Sequence, residues 1–249
     1  LFYHHIQPIL ANRFTLKPKK LITIKTVGIG ESDLQERLRK IELSPQIELG
    51  FRAELGEVQI KLLFSSDFPQ TELEHLSQCV ANSIGDAVYT IEGLSEKTGD
   101  LVSVIDRLMK DKGHSLALVE TTSHGLLTAK MVGVSWLISA VYEQSIETFA
   151  QRLTIEFIPS DQVEMAKSIA DAVQKNTHAD MVLVQLHSED NNKITENDKT
   201  VTVTNVLLFN NHYHQTVRSI SRSADRQQFQ ATMLSLDLLR RFLQGKETA

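Results

Sequence analysis

The apolar and polar positions of the first part of the chain follow strand spacing and helix spacing in turn. The predicted segments have the order β-α-β-β-α-β and lie at 21–27, 32–41, 48–53, 57–64, 70–84 and 87–92. Ser32 is the predicted N-cap of the first helix, and Gly56 separates two alternating segments as the turn of a hairpin does. This order predicts a split βαβ domain at residues 21–93, with its helices on one face.

A short apolar pattern within residues 1–20 ends in the sequence Lys17-Pro18-Lys19-Lys20. The pattern predicts a terminal helix followed by a linker. Because the chain starts at Leu1 with neither a methionine nor a signal region, we expect the natural N-terminus to lie outside this sequence. Residues 1–20 are then the tail of a preceding domain and a linker.

Strands and helices alternate again over residues 94–249, after a polar, turn-prone boundary at 93–99. Helices are predicted at 100–112, 126–131, 146–152, 160–175 and 225–244, and strands at 115–120, 136–142, 154–158, 181–186, 201–209 and 213–220. Ser160 is the predicted N-cap of the fourth of these helices. The last three strands follow one another closely, which predicts a meander. The fold class is therefore α/β, with two domains.

Composition and charge argue against nucleic-acid-binding and membrane-spanning proteins. The chain has 26 basic and 31 acidic residues, a net charge of −5, and the two signs are interspersed rather than clustered. This balance argues against nucleic acid as a partner, and no basic Gly-x-x-Gly loop is found. Apolar runs such as 206–209 are too short to span a membrane. The single Cys79 is what a reducing compartment permits, so we expect a cytoplasmic protein.

The strand at 115–120 ends in a small polar loop, Thr121-Thr122-Ser123-His124-Gly125, that opens into a helix. Proteins of the α/β class bind ligands at such loops, because backbone N–H groups and the helix dipole converge there. The hydroxyl groups of Thr121 and Ser123 are either a reactive pair or ordinary caps of that helix. Lys130, on the same helix, is either a base or a solvated surface group.

Two further patterns carry weaker signals. His212 and His214 share one face of a predicted strand, and His187 lies in the same predicted sheet, as metal ligands do. Without a carboxylate or thiol at a fixed offset they are better interpreted as surface histidines, so we expect no metal site. Gly28 and Gly30 form half of a dinucleotide-binding fingerprint, and a tight turn explains them fully.

Three stretches resemble the CinA (competence/damage-inducible) family. Residues 26–34, Thr-Val-Gly-Ile-Gly-Glu-Ser-Asp-Leu, with Gly50-Phe51-Arg52, are similar to its middle, KH-like domain. Residues 116–127, Leu-Ala-Leu-Val-Glu-Thr-Thr-Ser-His-Gly-Leu-Leu, resemble its amidase motif, normally Leu-Ala-x-x-Glu-Ser-x-Thr-Gly-Gly-Leu-Leu. Asp225-Arg226 opens a helix similar to its closing helix, and residues 1–16 resemble the end of its N-terminal molybdopterin-binding-like domain.

The resemblance implies a tail of that N-terminal domain and linker at 1–20, a KH-like domain at 21–93 and a three-layer α/β/α amidase-like domain at 94–249. Family members hydrolyse nicotinamide mononucleotide to nicotinic acid mononucleotide and ammonia, with the motif serine as nucleophile and a lysine of a second motif as base. Any pyrophosphatase activity of the family belongs to the part that precedes this sequence.

The chain departs from the family pattern at each catalytic element. Thr121 replaces the serine, His124 replaces the first glycine of the pair, and Thr148 aligns with the lysine. Threonine is a nucleophile when a base is near, but its methyl group crowds the approach to a carbonyl. Imidazole fills the space that glycine leaves for a ligand or for positive φ. The Ser-Gly-Ile-Ala-Gly-Pro loop of the family is replaced by the residues from His187 to Asn191.

These departures predict a CinA-like protein whose amidase-like domain has become a non-catalytic structural, oligomerisation or regulatory module. One alternative is a weakened or altered nicotinamide mononucleotide amidohydrolase that uses Thr121; another is a purely structural partner of the N-terminal domain. We expect no cofactor, and as partners the protein's own N-terminal domain, further copies of the chain and a nucleotide ligand. The predicted ligand pocket consists of Glu120, Thr121, Thr122, Ser123, His124, Gly125 and Arg226.

Overall fold

The computed structural model describes residues 2–14, 19–39, 41–94, 99–187, 200–221 and 223–248. A π-helical segment, Phe2–Ile6, leads into the first α-helix, α1, Gln7–Arg13, as the apolar pattern predicts. The linker residues 15–18 and the polar insert 188–199 lie outside the described residues. In the described part of the chain, no helix combines the length and apolar character that a membrane crossing requires.

The first sheet has four antiparallel strands in the order β2-β3-β1-β4. They are β1, Lys19–Val27; β2, Glu48–Glu54; β3, Glu57–Ser65; and β4, Val88–Glu92. Two helices, α2, Glu31–Leu38, and α3, Gln70–Ile84, share one apolar core with these strands. The observed order and pairing confirm the predicted split βαβ fold.

The second sheet has five strands in the order β6-β5-β7-β8-β9. They are β5, Leu116–Glu120; β6, Leu137–Tyr142; β7, Met181–His187; β8, Thr200–Phe209; and β9, His212–Ser221. The first three are parallel, and β7, β8 and β9 form the predicted antiparallel meander. Because β5 and β7 are buried on both faces, their sequences are nearly continuous apolar runs.

Helices cover both faces of the second sheet, which gives the three-layer α/β/α domain that was predicted. One core contains residues of α4, Leu101–Lys112; α5, Leu126–Lys130; and α8, Ala224–Leu243. The other contains residues of α6, Ile146–Leu153, and α7, Gln162–Thr177. Asp100 caps α4, and Gly113 ends that helix in the left-handed conformation.

Three local predictions are wrong. Residues 154–158 form no strand, although Ile155, Phe157 and Ile158 pack against the core beside α6 and α7. Their apolar alternation reflects burial under a connection and not sheet pairing. Ser32 lies inside α2, whose N-cap is Gly30. The N-cap of α7 is Asp161 and not Ser160, because the Asp161 carboxylate accepts hydrogen bonds from the amides of Val163 and Glu164.

Helix α8 joins the two sheets. The core on its face of the second sheet also includes Val27 and Tyr89 of the first sheet, so the two domains share apolar contacts. The two-residue turn between β2 and β3 approaches α8 closely at Gly56. A Cβ added to Gly56 would lie 2.6 Å from Met233 Cγ. The junction is therefore packed tightly enough to exclude a methyl group.

We expect Gly56→Ala to lower the free energy of unfolding by about 2–4 kcal/mol. The backbone angle φ is +72° at Gly56 and +69° at the control Gly113, and this positive φ accounts for about 1 kcal/mol at each position. Overpacking against Met233 adds about 1–3 kcal/mol at Gly56 alone. Gly113→Ala is the matched control, because nothing lies within 4 Å of its added Cβ. Urea unfolding measures both variants, and equal losses would contradict the close approach.

Candidate functional site

The predicted ligand loop lies at the carboxyl end of β5, between the ends of the parallel strands β6 and β7. Strand β5 ends at Glu120, and α5 begins at Leu126. Two successive loop residues, His124 and Gly125, have positive φ, of +50° and +86°. His124 therefore occupies a backbone conformation that favours glycine, as expected from the family pattern.

Glu120 is fully buried and its carboxylate organises the start of α5. It accepts hydrogen bonds from the backbone amides of Leu127, at 3.1 Å, and Thr128, at 2.9 Å. The hydroxyl groups of Ser123 and Thr128 donate to the same carboxylate. An acidic group at a helix N-terminus satisfies amides that have no partner within the helix, so Glu120 acts here as a structural cap.

Gln185, in the middle strand β7, holds the loop through its side-chain amide. Its Oε1 accepts a hydrogen bond from the Ser123 amide, at 2.9 Å, and lies 2.7 Å from the oxygen of the Ser123 hydroxyl, whose one proton is shared between this oxygen and the Glu120 carboxylate. Its Nε2 donates to the Ser235 hydroxyl, at 2.7 Å, which in turn donates to Asn205 Oδ1, at 2.6 Å. The loop, β7, β8 and α8 are thus connected by one buried network of satisfied polar groups.

Thr121 contacts the imidazole of His187, which the sequence did not indicate as a base. Its Oγ1 lies 3.0 Å from His187 Nδ1 and 3.1 Å from the carbonyl oxygen of Gln185. Burial lowers the pKa of the His187 imidazole, and the nearby His124 lowers it further, so both effects favour the neutral imidazole. Hydroxyl beside neutral imidazole is the arrangement of a nucleophile and its base, but Thr121 is only 2% exposed.

His124 points to the outer edge of the sheet. Its Nδ1 lies 3.0 Å from the Tyr142 hydroxyl, and the two rings are 5.6 Å apart. Partial desolvation lowers the pKa of His124, and the Glu120 carboxylate offsets part of this effect. Because the imidazole remains exposed, it does not plug a pocket at Thr121; the burial of Thr121 comes from the loop itself.

We expect stability to fall as the pH decreases below about 6.5, the ordinary pKa of histidine. The lowered pKa of His187 means that the folded state binds fewer protons than the unfolded state between this value and the folded pKa. Within that window His187 contributes a slope of at most about 1.4 kcal/mol per pH unit. Urea unfolding at pH 7.5 and 5.5 should therefore show a smaller pH effect in His187→Gln than in the wild type. An unchanged pH effect would contradict this assignment.

The other predicted site residues have separate environments. Thr122 is fully buried, with its hydroxyl 3.5 Å from that of Thr121. Thr148 is exposed in the first turn of α6, where its amide donates to the Ser145 hydroxyl at 3.2 Å. The Lys130 ammonium lies over the Phe229 ring, 4.5 Å from its centroid, and so has a contact at the junction with the first domain.

Arg226 does not lie at the loop but lines a separate cavity. This cavity has a volume of about 350 Å³ and is formed by the β1–α2 turn, the β2–β3 turn and the start of α8. None of residues 121–125 lines it.

Strand pairing separates the three histidines considered as metal ligands, because His187 pairs with Val203 whereas His212 pairs with Phe209, at the other end of β8. Among the described residues, no three His, Cys, Asp or Glu side chains converge as metal ligands.

Sequence reasoning missed Gln185 as a site residue and considered His187 only as a metal ligand and as the start of the segment that replaces a loop of the family. One signal was present: Gln185 is the single polar residue in the run Met181–Leu186. A polar side chain in a strand that is buried on both faces must find partners inside the protein, so it indicates a buried network.

Sequence comparison finds one matching family model and several similar curated proteins. Residues 22–90 match the family described as "Damage-inducible protein CinA KH domain". A "CinA-like protein" of Escherichia coli O17:K52:H18 (strain UMN026 / ExPEC) is 28% identical, over 99% of this chain and 55% of its own length. The "NMN amidohydrolase-like protein YfaY" of Escherichia coli (strain K12) is also 28% identical, over 99% of this chain and 56% of its own length. The chain therefore spans about half the length of these curated relatives.

Among solved structures, a competence or damage-inducible protein from Enterobacter asburiae aligns with a TM-score of 0.49 at 13% identity. The alignment covers 59% of this chain and 99% of that chain.

Proposed function

Because the chain is a CinA-like protein with a KH domain in its first half, we propose that its second domain is a non-catalytic module. In this proposal the domain keeps the fold of a nicotinamide-nucleotide amidase but not its hydrolysis, and serves assembly or regulation within a longer cytoplasmic protein. The proposal for the longer protein includes its own N-terminal domain and further copies of the chain as partners, and a nucleotide as ligand.

The observation that carries this proposal is the closed hydrogen-bond network of the loop. Hydrolysis of an amide needs an accessible nucleophile and free donors for the developing oxyanion. The Ser123 amide is already bonded to Gln185 Oε1, and the amides of Leu127 and Thr128 are bonded to Glu120. Thr121, Thr122 and Ser123 are buried, so a substrate carbonyl has no approach to their hydroxyl groups in this conformation.

The absence of the base of the family motif is a second, independent argument against hydrolysis. The position that aligns with the catalytic lysine is occupied by Thr148, whose side chain carries no basic nitrogen. Lys130 does not replace it in this conformation, because its ammonium lies over Phe229. Thr148 lies in α6 and the closed loop lies between β5 and α5, so loss of the base and closure of the loop are separate obstacles to hydrolysis.

The proposal is tested by ammonia release from nicotinamide mononucleotide. We expect the wild-type chain to release none above the enzyme-free blank, in an assay in which an active amidase serves as positive control. The triple variant Thr121→Ser, His124→Gly, Thr148→Lys is the matched comparison. Turnover in the triple variant alone would assign the loss to these side chains, whereas turnover by the wild type would contradict the proposal.

A second candidate function rests on the 3.0 Å contact between Thr121 Oγ1 and His187 Nδ1. In this candidate, His187 is the base and Thr121 the nucleophile of an altered amidohydrolase whose loop opens to admit substrate. Activity would then disappear in both Thr121→Ala and His187→Ala. It would also persist to a lower pH than an unperturbed histidine allows, because the pKa of His187 is lowered. A pH–rate profile distinguishes this candidate from a contaminating amidase.

A further inference from the structure

The cavity that Arg226 lines is situated where the two domains meet, and it has the size of a small-molecule site. Its volume of about 350 Å³ is at the lower end of the roughly 300–1,000 Å³ of ligand pockets, which occur preferentially between domains. Apolar side chains of both domains form part of its wall: Val27, Ile29, Leu55, Met233 and Leu234. A ligand in this cavity would therefore contact apolar groups of both domains.

Arg226 supplies a positive charge to this cavity. It lies in the first turn of α8 and is exposed, and among the described residues its side chain has no hydrogen-bond or ion-pair partner. A guanidinium presents five N–H donors in a planar fork that binds a carboxylate at two points. Arg226 is therefore free to bind an anionic group of a ligand.

Glu57 supplies a negative charge to the same cavity. Its carboxylate accepts hydrogen bonds from the Tyr89 hydroxyl and, at 2.8 Å, from Gln59 Nε2, and both donors are neutral. Burial raises the pKa of Tyr89, and the hydrogen bond to Glu57 raises it further, so the phenol keeps its proton. In the part of the chain that the structure describes, no cationic side chain pairs with Glu57, so its charge is not neutralised.

The hairpin of β2 and β3 adds a second carboxylate beside Glu57. Glu54 lies opposite Glu57 across the two-residue turn and lines the same cavity. Like charges directly opposite each other in a hairpin are destabilising, and the ion pair of Glu54 with Arg52 lies at the surface, where such pairs contribute little. A cationic group of a ligand would reduce the repulsion between the two carboxylates.

We propose that this cavity binds a small zwitterion, an amino acid with an apolar side chain, whose carboxylate contacts Arg226 and whose ammonium group contacts Glu57 and Glu54. Opposite charges line one cavity, and within the described residues they do not pair with each other. A ligand with only one charge would leave the other charge of the cavity uncompensated or repelled.

The same charges favour a carboxylate over a phosphate as the anionic group. A phosphate monoester carries nearly two negative charges at pH 7, whereas a carboxylate carries one. One guanidinium beside Glu54 and Glu57 compensates the single charge better than the double charge. The apolar wall of the cavity then accommodates an apolar side chain of the amino acid.

This inference goes beyond the proposed function and does not depend on it, because none of residues 121–125 lines the cavity. Ammonia release by the wild-type chain would contradict only the proposed loss of hydrolysis. Absence of amino-acid binding would contradict only the proposed site.

Isothermal titration calorimetry of the 249-residue chain tests the requirement for both charges. The probes are L-valine, L-leucine and L-phenylalanine, each beside its N-acetyl derivative, which lacks the cation, and its amide, which lacks the anion. We expect at least one of the three amino acids to bind, and its two derivatives to bind at least about 10-fold more weakly. No binding of any of the three up to about 10 mM, or equal binding of the derivatives, would overturn the proposal.

Two substitutions test whether the ligand binds in this cavity. Arg226→Gln should weaken binding of the amino acid at least about 10-fold and leave that of its amide within about twofold, because the amide has no carboxylate. Glu57→Gln should do the same for the amino acid and spare the N-acetyl derivative. Arg39→Gln and Glu147→Gln are the matched controls, because both residues are exposed and neither lines the cavity. Unchanged binding in Arg226→Gln, or an equal loss in Arg39→Gln, would overturn the proposal even if Glu57→Gln folds poorly.

Discussion

Replacing Arg240 by alanine is expected to lower the free energy of unfolding by about 3–5 kcal/mol, a typical cost of removing one partner from a buried ion pair. Arg240 is fully buried in α8. Its guanidinium donates to Asp237, and it also reaches the first sheet, where it donates to the carbonyl oxygens of Val88, at 3.2 Å, and Asp86, at 2.6 Å. Alanine would leave those carbonyl groups without this donor and Asp237 with Arg241 as its remaining cationic partner.

The conservative replacement Arg240→Lys should recover only part of this loss, because an ammonium cannot reproduce the planar fork that reaches these three acceptors and also Gln244 Oε1, at 2.9 Å. Arg241→Ala is the matched control: Arg241 is next in sequence, donates to the same Asp237 carboxylate at 2.8 Å, and is partly exposed. We expect it to lose about 1 kcal/mol or less.

Urea unfolding followed by Trp136 fluorescence and by far-ultraviolet circular dichroism measures these losses in both domains. Trp136 is buried in the core that the two sheets share. Because α8 contacts both sheets, we expect one transition in the wild type, with coincident midpoints. Equal losses for Arg240→Ala and Arg241→Ala would contradict the role of Arg240 as the link between the domains.

The second large effect is expected at Glu120. Glu120→Gln should lower the free energy of unfolding by about 2–4 kcal/mol, because the carboxylate accepts from four donors and an amide would turn its NH₂ group toward two of them. The donors are the Ser123 hydroxyl, the Leu127 amide, and the amide and hydroxyl of Thr128. Glu120→Ala should cost at least as much, because these buried groups would lose their acceptor.

Glu147→Gln provides the control for Glu120→Gln, since Glu147 is an exposed acidic residue in the first turn of α6. We expect a change within about 0.5 kcal/mol there. Protection of the Leu127 and Thr128 amides against hydrogen exchange should also fall in Glu120→Gln and remain unchanged in Glu147→Gln. Unaltered protection in Glu120→Gln would contradict the capping role of this residue.

The fold was predictable from the sequence because most of its elements have strong local signals. Helix α3 was predicted with its observed bounds, and the hairpin around Gly56 and the final meander were also predicted. The failure at residues 154–158 has a physical reason: apolar residues that are buried under a connection alternate as a strand does. Caps were predicted less well, because neighbouring polar residues such as Ser160 and Asp161 compete for one position.

Only those features of the site that depend on neighbouring residues in the chain were predictable from the sequence. The loop at 121–125 follows from its own residues, whereas the positive φ at His124 relates to the glycine that the family pattern has at this position. The bonds of Gln185 and His187 to that loop depend on strand β7, more than sixty residues later in the chain, lying beside β5. Arg226 was grouped with the loop through sequence resemblance, whereas it lines the cavity at the two turns of the first domain.

The central claim is that the loop after β5 holds a structural network in place of a catalytic site. Its most direct test is ammonia release from nicotinamide mononucleotide by the wild-type chain beside Thr121→Ala, at high protein concentration and with both proteins verified as folded. The account predicts that neither protein exceeds the enzyme-free blank. Release that increases in proportion to wild-type protein and is absent in Thr121→Ala would contradict it.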